Sequence, residues 1–454
     1  MSKNTTKDLT QGSPLRLILG FMLPTLFGLL FQQFYNLVDT AVVGKFLGME
    51  ALAGVGSTGS INFLVLGFCS GICSGFAIPI AQKFGEGDHD GLRRFVGNVL
   101  WLALGLALVI TTAVCLLCRH ILTWMNTPPE AFGYAYEYVF IVFLGIPVMM
   151  AYNILAGIIR SLGDSKTPVY FLMISSFLNI FLDVLLIFVF DMGVAGVAWA
   201  TVIAQLISGL LCFLWIVKRF DILRLSATDL RPSALHMKRL CLMGLPMGLQ
   251  YSITAVGSIF LQASINGLGA LYMAAVTTGN RVGNCFTTPL EALGITMATY
   301  GGQNVGARKY DRIKSGYAKG CMIGIVYSLA ALVVLFFFGD KIALLFTDQP
   351  ELGVPQLAHR FLIVNAASYI LLVFVNVTRF LIQGIGFAEM AIFAGLFEMV
   401  ARAGVALGFV PHFGFNAVCF ASPAAWLLAD FFLVPLFFWC MRKLYKRQKD
   451  ALTV

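Results

Sequence analysis

Long apolar runs, such as Asn98 to Leu117 and Ile323 to Gly339, alternate along the chain with short stretches carrying Pro, Gly and charge. Each run approaches the roughly 20 apolar residues that cross a bilayer as a helix. Cutting the chain at this punctuation predicts twelve transmembrane helices, at roughly 15–43, 51–80, 94–118, 134–160, 167–190, 194–217, 240–265, 272–300, 316–338, 356–383, 388–410 and 415–440. The longest charged interruption, around Lys218 to Arg239, falls near the middle. The expected fold class is therefore an all-α polytopic membrane protein with two six-helix lobes. Its predicted divisions are an N-terminal lobe (1–218), a connector (219–239), a C-terminal lobe (240–441) and a basic tail (442–454).

The two lobes read as a parallel internal repeat. Gln82, Gly85 and Asp90 recur at one spacing as Gln303, Gly306 and Asp311. Pro24 with Pro246, Gly48 with Gly269, Gly163 with Gly386 and Gly193 with Gly414 keep almost the same offset. An even number of helices per half makes the two halves enter from the same side, a common transporter plan.

Composition agrees: of the 454 residues 59% are hydrophobic and only 12% charged, against about 25% in soluble proteins. The net charge of +9 is explained by topology. Most Lys and Arg fall in alternate loops, including Lys3, Lys7, the connector and the tail, while the opposite side holds Lys45, Arg119, Lys341 and Arg360. By the positive-inside rule both termini are cytoplasmic, and no nucleic-acid partner is implied. The polar start, Met1 to Ser13, leads into a long apolar stretch without a small-residue cleavage site, so no removable signal peptide is expected. The ten cysteines lie mostly in apolar segments and read as small core residues.

Carboxylates at membrane depth are costly unless paired or wet, so they are functional candidates. Asp39 shares a helix face with Gln32, Tyr35 and Asn36, a polar stripe suited to an aqueous cavity. Asn179 and Asp183 stand four residues apart in an apolar helix, and Thr201 on the next helix adds a hydroxyl. These oxygens form a hard-donor cluster suited to a metal cation such as Na⁺, held by Asp39, Asn179 and Asp183, and two nearby acids can instead share one proton. Gln250, Asn284 with Glu291, and Asn365 with Tyr369 mark polar stripes on three helices of the second half. Together with Tyr35, Tyr152 and Asn153 they are the predicted substrate-cavity residues, the tyrosines offering faces to a cationic ligand. Arg379 continues the polar stripe of Asn365 and Tyr369, Glu398 and Arg402 form a structural i, i+4 pair, and Asp430 has no evident partner in its own segment. Pro24 and Pro246 sit at matching places inside helices and permit a hinge or a fixed bend.

No GxxxxGK[ST], HExxH or GxSxG element is present, so no enzyme chemistry and no cofactor are expected. The run from Pro24 to Gly56, the loops at Gln82 and Gln303, and Leu162 to Asp164 followed by Asn179 and Asp183 resemble the multidrug and toxic compound extrusion (MATE) family over nearly the whole chain. The resemblance implies export of organic cations or amphipathic drugs, driven by Na⁺ or H⁺ through alternating access, in the cell membrane; the internal repeat makes a monomer self-sufficient and leaves dimers open. It maps the cation site of one family branch onto Asp39, Asn179, Asp183 and Thr201. Another branch carries acids on helices seven and ten, where this chain has Gln250 and Asn365. Two alternatives remain open: a lipid-linked precursor flippase of related fold, which should carry more basic residues at depth, and a receptor or scaffold that moves nothing.

Overall fold

The computed structural model describes residues 8–125, 127–347 and 353–452, so Lys3, Lys7 and the last two residues of the predicted tail lie outside the described residues. Among them the chain is helical, without a strand. The helices are α1 (Pro14–Val42), α2 (Met49–Ser57), α3 (Gly59–Glu86), α4 (His89–Trp124), α5 (Pro129–Leu144), α6 (Ile146–Ser161), α7 (Lys166–Phe188) and α8 (Gly193–Arg219). After the connector come α9 (Ala234–Gly267), α10 (Ala270–Gly306), α11 (Tyr310–Leu344), α12 (Val354–Ala367), α13 (Tyr369–Gly384), α14 (Ala388–Gly404), α15 (Val410–Phe413) and α16 (Phe415–Leu452).

Nine spans in the described residues are long and apolar enough to cross a membrane alone, and two bent pairs raise the number to eleven. The remaining expected span is α10, which is long enough at 37 residues but has a polar middle carrying Asn280, Arg281, Asn284, Thr287, Thr288 and Glu291. Three spans expected to be continuous are broken, the one at 51–80 by Thr58 between α2 and α3. Between α5 and α6 the axis turns by 46°, where Pro147 supplies no amide hydrogen. Between α12 and α13 it turns by 52°, where the Ser368 hydroxyl donates to the Val364 carbonyl and competes with the helix ladder. The last helix continues beyond its expected end, and Tyr445 in the predicted tail donates to Asp311 at 2.5 Å while Lys314 stands 4.3 Å from its ring centre.

The chain divides into two compact units, Leu23–Gly248 (with Asp8) and Leu9–Met22 with Leu249–Val454. Both divisions fall inside helices, α1 and α9, beside Pro24 and Pro246. In the first unit α3 packs on α4 and α6, and α8 packs on α6 and α7. In the second, α10 packs on α11 and α13, and α16 packs on α13 and α14, the same arrangement in the same order. The repeated glycines explain part of the likeness. Gly48 and Gly269, Gly163 and Gly386, and Gly193 and Gly414 all hold positive φ, a conformation that Cβ disfavours, so each pair marks the same turn.

Each unit also receives the chain at the start of a long helix against its Gln-x-x-Gly motif, which the structure places not in a loop but in the last turns of α3 and α10. In the first, Arg239 donates to Gln82 (2.8 Å), the Ser233 amide donates to Asn98 (2.8 Å) and Trp101 donates to the Leu230 carbonyl (2.8 Å). In the second, the Leu9 amide donates to Gln303 (2.8 Å) and Lys309 to the Thr10 carbonyl (2.9 Å). Asp229 in the connector accepts from the Ser226 amide (2.8 Å) and hydroxyl (2.6 Å), with Arg93 at 3.5 Å. These hydrogen bonds, with the neighbouring arginine charges, hold its carboxyl below the usual range.

The start of α9 lies against α3 through glycines. A Cβ on Gly75 would meet the Gly244 Cα at 2.5 Å and the Met243 carbonyl oxygen at 2.6 Å, and one on Gly71 the Met247 carbonyl oxygen at 2.6 Å. Such close backbone approach is how helices pack where hydrocarbon supplies no hydrophobic drive. Gly75→Ala should therefore destabilise the protein by about 1–3 kcal/mol and lower its melting temperature in detergent. Gly105→Ala, with nothing within 4 Å of the new Cβ, should melt like the parent; equal melting of both variants would contradict the close packing. A carboxyl held below its usual pKa of about 3.9 stabilises fully above that value and loses its contribution as pH falls through the lower folded value. Hydrogen-exchange protection of the Ser226 amide should accordingly hold from neutral pH downward and fail only in that acid range, and Asp229→Asn should remove this pH dependence.

Candidate functional site

Three helices of the first unit, α1, α7 and α8, bring Asp39, Asn179, Asp183 and Thr201 together. The i, i+4 spacing puts Asn179 and Asp183 on one face of α7, which lies along α8. Asn179 Nδ2 reaches the Thr201 hydroxyl at 3.5 Å, and that hydroxyl donates to the Val197 carbonyl at 3.2 Å. Asp39 stands within hydrogen-bonding reach of both Asp183 and Thr201. All three α1 and α7 side chains are buried, Asp39 at 9%, Asn179 at 2% and Asp183 at 0% exposure.

The decisive property is an excess of acceptors. Asp39 Oδ1, Asn179 Oδ1 and both oxygens of Asp183 are buried without a hydrogen-bond partner. Each such oxygen costs roughly 1–3 kcal/mol, more when charged, so a group that supplies positive charge or a proton is favoured there. Two carboxylates, an amide oxygen and a hydroxyl fit a hard monovalent cation, and the two carboxylates also fit one shared proton. No group of three or more His, Cys, Asp or Glu gathers among the described residues, so the donor set is not that of a transition-metal centre.

Tyr35 is buried one turn from Asp39, with Gln32 and Gln205 within hydrogen-bonding reach, and Tyr138 from α5 stands in the field of Asp39, Asp183 and Tyr35. Neither Gln205 nor Tyr138 is singled out by the sequence reading. The signal for Gln205 was its place four residues after Thr201 on one helix face. Tyr138 gave none. Gln32 and Asn36 are exposed. Tyr152 packs into the unit's apolar core beside Ser208, and the Asn153 amide bonds back to the Met149 carbonyl at 2.9 Å.

In the second unit, Gln250 is buried and accepts from Gln383 at 2.6 Å. Asn365 is buried and donates to the Phe361 carbonyl at 2.8 Å, and Tyr369 is buried with its ring 6.1 Å from that of Trp426. Asn284 is exposed and Glu291 half-buried on α10, with Tyr251 close to Glu291. The Glu398–Arg402 pair exists at 3.6 Å, but the nearer partner of Glu398 is Arg379 of α13, which the sequence reading had placed on a polar stripe of that helix.

The MatE family model matches residues 24–185 and 246–407, once per half and beginning at the two equivalent prolines. The chain is 29% identical to the probable multidrug resistance protein YoeA of Bacillus subtilis, over 77% of either chain. It is 28% identical to the probable multidrug resistance protein YpnP of the same organism, over 76% of this chain and 77% of that one. Among solved structures, the outward-facing conformation of a multidrug resistance MATE family transporter superposes with a TM-score of 0.90 at 24% identity, covering 98% of this chain and 99% of that one, which establishes the fold.

If the two acids bind a mobile ion and do not bind each other as fixed structural partners, replacing one should relieve the excess of acceptors. Asp39→Asn and Asp183→Asn each bring an amide donor, so both should melt at or above the parent temperature. A clear drop in either would make that acid a structural partner.

Proposed function

The chain belongs to the MATE family of multidrug efflux transporters, and we propose that it is a secondary antiporter exporting organic cations or amphipathic compounds in exchange for inward Na⁺ or H⁺. The observation that carries this reading is the set of four partnerless oxygens on Asp39, Asn179 and Asp183. A cation or proton arriving there cancels charge that the surrounding helices do not cancel. Thr201 holds Asn179 in place, and Tyr35 and Tyr138 close the site's flank.

Binding at Asp39 acts on α1, whose interior proline leaves one carbonyl without its helix donor and so gives the helix a point at which to bend. Ion and drug are coupled only if each binds differently to the two global states, so alternate exposure of the site to the two membrane faces is part of the proposal. Asn284 and Glu291, on the polar helix α10, are the residues best placed in the second unit to meet a cationic ligand, since they are more open than Gln250, Asn365 and Tyr369. The chain is proposed to work as a monomer in the cell membrane, with both termini cytoplasmic and with lipid against exposed side chains such as Leu104, Leu108 and Leu116.

Proteoliposomes loaded with a fluorescent lipophilic cation test this directly, with Na⁺ and proton gradients imposed separately. Gradient-dependent dye loss is expected, and it should disappear in Asp39→Asn and in Asp183→Asn, which remain folded. Normal efflux by either variant would sink the assignment of the site. No dye movement in the parent under either gradient would favour a narrower cargo or the flippase reading.

A further inference from the structure

A second buried cluster of ionisable groups lies in the second unit, and the ion site described above does not use it. Asp430 of α16 is only 9% exposed, and neither of its carboxylate oxygens has a hydrogen-bond partner. Arg379 of α13 is the charged group acting on it. Yet that guanidinium is committed elsewhere: its Nη2 bonds to Glu398 Oε1, while its Nε, also buried, has no acceptor. Arg402 Nη2 is 3.6 Å from the other oxygen of Glu398, and its Nη1 is likewise unused. Glu398 thus holds two guanidinium groups, and Asp430, in the field of Arg379, holds none.

An ionised Asp430 would leave a full charge bare in an apolar setting, with the Nε–H of Arg379, the arginine that acts on it, unused. The arrangement is the one expected when the carboxyl is neutral, so that Arg379 has nothing to gain from it and stays with Glu398. We propose that Asp430 is a proton-binding group of the second unit, with Arg379 as the counter-charge that turns toward it when the proton leaves. The chemistry is a single O–H bond made at a carboxylate oxygen and broken by the reverse step. The titratable and charged groups around Asp430 are Arg379 on α13, Tyr317 and Cys321 on α11, and, through Arg379, Glu398 and Arg402 on α14. Tyr317 is 3.2 Å from the Thr378 hydroxyl, and Arg360 of α12 acts on Cys419. On the same face of α13 as Arg379, Gln383 Oε1 is a further buried acceptor without a donor.

This second group differs in kind from the first. Asp39 and Asp183 have acceptors in excess, whereas Asp430 has an arginine at hand that changes partners, so its proton moves a charged side chain between α14 and α16. Infrared spectra of the full chain in lipid, at neutral pH and with increasing alkali, test the proposal. A protonated-carboxyl band is expected that is lost in Asp430→Asn, moves in Asp430→Glu and persists in Asp39→Asn. Superimposable parent and Asp430→Asn spectra in that region would overturn the inference. Should Asp430→Asn fail to fold, an Asp430→Glu band unchanged in position would do the same. The band of Asp430 is read without transport, so this result is independent of whether Asp39 and Asp183 carry the coupling ion.

Discussion

Hydrocarbon offers no hydrogen-bond partner, and the rest of the structure follows from that constraint. Backbone groups must be satisfied within the segment, which makes every described span a helix. Where a helix breaks, at Pro147 or Ser368, the freed carbonyls must find cover inside the protein, and both breaks fall in the helices that pack centrally against α3 or α10 and α8 or α16. Side chains obey the same constraint, and the contrast between Glu398 and Asp183 shows how. Glu398 is satisfied by two arginines and can be read as architecture, whereas Asp183 is left with two bare oxygens at no exposure. That bare acceptor pair is the feature on which the proposed ion site rests.

Polar content is distributed unevenly for the same reason. Of the twelve spans, α10 is the one whose middle is too polar to count as a membrane helix by composition. Its counterpart α3 is apolar and glycine-rich, and uses Gly71 and Gly75 to hold the start of α9. Close packing is common to both, since a Cβ on Gly301 of α10 would meet Leu381 at 2.6 Å, so what α10 adds is its polar middle, while turns such as Gly163 and Gly386 are alike.

The sequence made much of this legible. Apolar runs cut at Pro, Gly and charge placed most of the spans, because a bilayer imposes a length and a composition that soluble packing does not. The i, i+4 spacing of Asn179 and Asp183 was readable since it needs only the pitch of one helix. The meeting of Asp39 with them needs the packing of α1 against α7 and α8, and there the family resemblance supplied what spacing could not. Arg379 was visible as a polar position but not as the partner of Glu398, since the bond joins two helices whose relative rotation no local pattern encodes. The breaks at Pro147 and Ser368 were also missed, the first although proline removes a helix donor, the second because a serine interrupts a helix only when its hydroxyl turns back on the ladder.

The division of the units inside α1 and α9 bears on how the chain is made. Leu9–Met22 is synthesised 294 or more residues ahead of its partners Gln303, Lys309 and Arg312. That segment must therefore wait with these contacts unmade until α10 and α11 are made, while the start of α9 finds α3 already in place. Assembly is ordered by sequence separation, and the first half can mature before the second. The segment in front of α1 is thus captured only once the end of α10 and the start of α11 arrive.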